Sequence, residues 1–159
     1  MPPTTARHPV LLWPGALLLA VLLAAPALGK GSAKPAAKFS EVVTAWQAGS
    51  FEGVARAMEA KGAVSFRLLA APFSGKARSM RPEQARASLK AYFKQLSGLR
   101  LVDVTPKRSP ASVRLYDYTY KQDGENARTT RLHVQLKQDG NRLWVLASVT
   151  ESPKPRKPK

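Results

Sequence analysis

Two histidines, His8 and His133, and 10 carboxylates are the side chains here best suited to moving a proton near neutral pH. Cysteine is absent, which removes thiol nucleophiles, Cys-ligated zinc and disulfides together. The histidines stand far apart in the chain, so a clustered imidazole metal site and a Ser-His-Asp arrangement are both nearly excluded. No metal and no cofactor is expected. Gly75-Lys76 is superficially like the end of a phosphate-binding loop. That pattern needs a glycine at position 70, which is Ala70, and Ser or Thr where Ala77 stands.

One carboxylate has a place in a pattern that could matter. Val113 and Leu115 alternate with Arg114 and Tyr116, and Asp117 follows them by period two. This register aims Asp117 at the apolar face of a sheet, where it could serve as a pocket base or ligand contact. The plainer reading puts it at the wet end of the sheet, near the Asp123-Gly124 turn. No second carboxylate or histidine joins it on that face. The same alternation gives the opposite face Arg114, Tyr116, Tyr118, Arg131, His133 and Trp144. Aromatics interleaved with arginines can stack on a planar ligand or bury against a second subunit. They can equally be ordinary cross-strand pairs.

Cations form the third constellation. Net charge is +16, with 26 Lys+Arg. Lys76, Arg78 and Arg81 crowd one stretch, and Arg86, Lys90 and Lys94 follow at helical spacing. Together they could be an electrostatic footprint for polyanions such as anionic lipid head groups or cell-wall polymers. They could also be a solvated basic surface. No sequence-specific nucleic-acid motif is present.

The elements that must hold these residues can be read from periodicity. Phe39, Val42, Val43 and Trp46 fall on one helical stripe, which Gly49 ends. Ser50 can N-cap a second short helix carrying Phe51, Val54, Ala55 and Met58. Val64 to Leu68 alternates as a strand, and Pro72 to Arg81 is expected as a loop. Pro82 starts a third helix with Ala85, Leu89, Tyr92, Phe93 and Leu96 inside, and Gly98 lies just past its end. Four strands are expected at residues 99–105, 111–122, 127–137 and 142–150. Asp139-Gly140 predicts a two-residue hairpin, pairing Leu136 with Leu143, Val134 with Val145 and Leu132 with Ala147. Leu146 then falls on the outer face. Helices followed by a strongly bent antiparallel meander make an α+β fold.

Outside this domain, set at residues 39–152, the chain changes character. Arg7 and His8 precede the apolar run ALLLAVLLAA, and Ala27-Leu28-Gly29 offers small residues at a cleavage site. Residues 1–29 therefore read as a secretory signal peptide. The chain is expected to be exported, periplasmic or secreted, and to meet a membrane only if that segment is left uncleaved. Residues 30–38 read as a linker. Residues 153–159 read as a basic Pro/Lys tail, and the run SPKPRKPK that contains them is expected to be disordered or extended. All 10 acids lie inside the domain, so both flanks are purely basic.

The stretches FSEVVTAWQAGSFEGVARAM, PEQARASLKAYFKQL and ARTTRLHVQLKQDGNRLWVL, in this order, resemble the nuclear transport factor 2-like superfamily. They are closest to an uncharacterised bacterial secreted family, domain of unknown function 4783. The resemblance implies a cone in which a bent sheet curls around a helix, and an envelope or secreted setting. It implies no activity, because the superfamily hosts enzymes, binders and scaffolds alike. Members often dimerise through the sheet face, so a homodimer through that face is one expected partner. Three readings stay open. One is a non-enzymatic binding domain of unknown ligand. Another is a polyanion binder driven by charge. The last is a small cavity hydrolase or isomerase using Asp117.

Overall fold

The structure, a computed structural model, describes residues 34–155. The expected signal peptide, residues 30–33 of the expected linker and the last four residues of the tail lie outside this range. Helix α1 spans Pro35–Gln47 and buries Phe39, Val42, Ala45 and Trp46. It starts earlier than expected, because Pro35 fits the first helical turn and Ala36 and Ala37 favour helix. Residues 35–38 are therefore helix and not linker. Gly49, at φ 62°, closes α1: its N–H bonds to Trp46 O and that of Ser50 to Ala45 O. Ser50 then caps α2, Phe51–Arg56, by accepting the Gly53 N–H at 3.1 Å.

Strand β1 is Val64–Arg67 and β2 is Arg78–Met80. The second was expected as loop. Its alternation is too short to read, yet it pairs Met80 with Val64 and Arg78 with Phe66. Helix α3, Pro82–Lys94, buries the expected Ala85, Leu89, Tyr92 and Phe93. Strands β3 (Leu96–Asp103), β4 (Val113–Gln122), β5 (Arg128–Gln138) and β6 (Trp144–Pro153) form the expected antiparallel meander. Gly98 does not stop a helix; at φ 62° it occupies the irregularity in β3 between Ser97 and Arg100. The six-stranded order is β2-β1-β6-β5-β4-β3. Because β1 runs parallel to β6, the sheet is mixed and not purely antiparallel.

The last hairpin corrects the expected register. Asp139 Oδ1 accepts from the N–H groups of both Asn141 and Leu143 at 2.8 Å. Arg142 takes a left-handed φ of 60°. These bonds make a five-residue loop, so Leu136 pairs with Leu146, and beyond a bulge Val134 pairs with Val149 and Leu132 with Glu151. Leu143 is left 51% exposed, while Leu146 is fully buried and Trp144 packs against the core. Both had been expected on the outer face. The strand also runs on to Pro153, so Ser152 and Pro153 pair with Arg131 and Thr130 at the start of the expected tail.

Helices and sheet meet over an aromatic core. Trp46 packs edge-on against Phe93 at 5.2 Å and Tyr118 at 6.2 Å, and Phe73 against Tyr92 at 5.9 Å.

Candidate functional site

Strand β4 faces the other way from the sequence reading. Tyr116, Tyr118 and Tyr120 point inward, opposite Leu132, Thr130 and Arg128, while Leu115 and Asp117 face outward, opposite His133 and Arg131. The alternation there is apolar on both faces, so period alone did not choose. Volume decides: the rings fill the space between the sheet and Trp46, which short aliphatic side chains would leave empty.

Asp117 is thus no pocket base. Its carboxylate accepts from Arg131 Nε at 3.0 Å and Lys154 Nζ at 2.6 Å on the outer face. Hydrogen bonding to Lys154, with Arg131 beside it, holds its carboxyl below the usual range. Of the expected aromatic surface, only Arg131 and His133 stay outside. Arg114 sits with the inward set, its guanidinium 5.0 Å from the Phe39 ring. The expected partner surface therefore loses Tyr116, Tyr118 and Trp144.

The interior holds a carboxylate that the sequence reading placed beyond its last strand. Glu151 is 1% exposed. Its Oε2 accepts the Leu69 N–H at 2.9 Å and the Tyr92 hydroxyl at 3.3 Å, and Oε1 accepts the Thr130 hydroxyl at 2.8 Å. The Tyr92 and Tyr118 hydroxyls lie 3.5 Å apart. Burial pushes the phenols of Tyr92, Tyr118 and Tyr120 well above their ordinary value, and that of Tyr116 up to about 12. A longer hydrophobic run would have signalled Glu151, but in VTESP the strand ends in polar residues.

Trp46, Phe73, Tyr92 and Tyr118 are fully buried around this carboxylate. Among the described residues, no group of three or more His, Asp or Glu could hold a metal.

The expected cationic patch divides. Arg81 and Arg86 line an open cleft of about 610 Å³, together with Arg56 and Lys61. Lys90 and Lys94 line a different depression, with Phe51, Phe93 and Leu99. Lys76 and Arg78 are exposed and line neither. Arg56 and Lys61 were missed because they belong to α2 and the turn after it, and only the α2–α3 packing brings them to Arg81.

No family model matches this chain, and no curated protein matches it. Solved structures do. A ketosteroid isomerase-like protein from Erwinia carotovora atroseptica is 11% identical, with TM-score 0.55 over 78% of this chain and 97% of that one. A protein of the NTF2-like family from Streptomyces avermitilis is 13% identical, with TM-score 0.53 over 79% and 96%. A DUF4783 family protein from Bacteroides ovatus is 16% identical, with TM-score 0.49 over 74% and 96%. At such identities the likeness is one of fold, and the fold is nuclear transport factor 2-like.

Proposed function

We propose that this nuclear transport factor 2-like chain is an exported, non-enzymatic binding module of the cell envelope. The fold alone carries no activity, so the site must decide. The observation that carries the reading is the filled interior: Trp46, Phe73, Tyr92 and Tyr118 occupy the space between sheet and helices, and both oxygens of Glu151 are engaged. Asp117, the residue on which an enzymatic reading rested, is held outside in an ion-paired cluster. Export is supported by the cationic start, apolar run and small-residue site of residues 1–29.

Two measurements test this. Expression in a bacterium with mass spectrometry of the chain recovered from the periplasm and medium should give Lys30 as the first residue; recovery of the chain from the cytoplasm alone, with residues 1–29 retained, would refute export. Titration with an apolar fluorescent probe should give no saturable one-to-one binding that quenches Trp46. Such binding would reveal an accessible interior and sink the non-enzymatic reading.

A second reading is favoured by the basic cleft between α2 and α3: the binding is directed to anionic envelope polymers or lipid. It predicts retention on heparin that weakens steeply with salt.

A further inference from the structure

We propose that the cleft between α2 and α3 is a binding site for a phosphate-bearing anion; this deepens the polyanion reading above. Four cations and one carboxylate, Glu83, line it, and the Glu52 carboxylate pairs with Arg86 beside it. They arrive from separate elements: Arg56 ends α2, Lys61 lies in the turn after it, Arg81 precedes α3 and Arg86 is within it. Like charges gathered in one concavity repel, and the field they focus there attracts a counter-ion.

The arrangement is also partly fixed. Glu52 binds Arg86 Nε through its carboxylate at 2.9 Å and Arg56 Nε through its backbone carbonyl at 3.4 Å. Each guanidinium is thereby tethered at Nε, and its terminal nitrogens make no hydrogen bond among the described residues. Those forks match the geometry of phosphate oxygens, which bidentate arginines recognise. Lys61 and Arg81 form no ion pair among the described residues. Against Glu83 in the lining and Glu52 on Arg86, the four cations still leave an excess of positive charge, which favours a multiply charged phosphate over a single carboxylate. The volume, about 610 Å³, suits a small ligand or a lipid head group. Ala55 and Met58 add apolar surface to the lining.

The test compares two charge-matched double variants of the full chain. One is Lys61→Gln with Arg81→Gln. The other is Lys107→Gln with Arg108→Gln, both exposed and away from the cleft. Pyrophosphate binding is read by calorimetry, and binding to phosphatidylglycerol against phosphatidylcholine vesicles by cosedimentation. Circular dichroism confirms that both variants fold. The cleft variant should bind about tenfold more weakly, the loss expected for charged hydrogen bonds, and the control should lose less than about twofold. Pyrophosphate binding with this selective loss assigns a soluble phosphate; the same loss on vesicles alone assigns a lipid head group. Equal loss in both variants overturns the site while leaving diffuse charge binding intact. Absence of binding to either probe overturns the site and the polyanion reading together. Neither outcome touches export, which the mass of the mature chain decides.

Discussion

The carboxylate of Glu151 accepts hydrogen bonds from three stretches of chain that are distant in sequence: Leu69, Tyr92 and Thr130. Removing it leaves the Leu69 N–H without an acceptor, and leaves the Thr130 and Tyr92 hydroxyls only their longer contacts to Tyr118, at 3.4 and 3.5 Å. Glu151→Ala should therefore cost about 3–5 kcal/mol, from the lost acceptors together with the cavity left behind. Glu151→Gln keeps one carbonyl acceptor and the volume, and should cost only about 1–3 kcal/mol. Urea unfolding of the two variants measures both; equal losses would show that the second carboxylate oxygen carries the effect and the side chain's bulk does not. Asp117 shows what sequence can mislead at this scale. Its period-two position was legible, but two apolar faces competed for the core. The ring volume of Tyr116, Tyr118 and Tyr120 settled a contest that hydropathy left level.

The junction between α1 and α2 was legible, because its signals are local. Gly49 supplies the left-handed stop and Ser50 the next cap, and both act within a few residues. The last hairpin was less legible, because the Asp139 side chain competes for the backbone N–H groups that a two-residue turn would leave free. Contact between α1 and α2 depends on a missing side chain. A Cβ on Gly53 would sit 2.6 Å from the Ala45 Cβ, which cannot rotate away. Gly53→Ala would gain up to about 1 kcal/mol of helix propensity. Overpacking should outweigh that by forcing the helices apart, at a cost of about 1–3 kcal/mol. The variant is thus expected to melt at a lower temperature than the parent, and a rise would show that α2 shifts freely.

Across the whole molecule, the α+β class was legible, while the parallel pairing of β1 with β6 was not. No local pattern announces a contact between residues some eighty positions apart, such as Leu69 and Glu151. The core has a global signature in its tyrosines. All 4 are buried, and all have phenols raised above 10.0. A raised phenol keeps its proton in the folded chain when the unfolded chain has lost it. Their contribution to stability is whole below about pH 10 and falls as pH climbs from there through the folded values. Phenolate absorbance should therefore stay flat through pH 10 and rise together with loss of circular dichroism. A gradual rise centred at pH 10 in a folded chain would contradict the packing. Finally, β6 lies between β1 and β5, so neither half of the sheet is complete until residues 144–153 are in place. Such long-range closure makes folding slow and leaves it to the final stretch of the domain to be synthesised. Under the proposed export, a machine that threads unfolded chains through a membrane would meet this one still open, and the strand that locks the sheet would be the last of the described strands to cross.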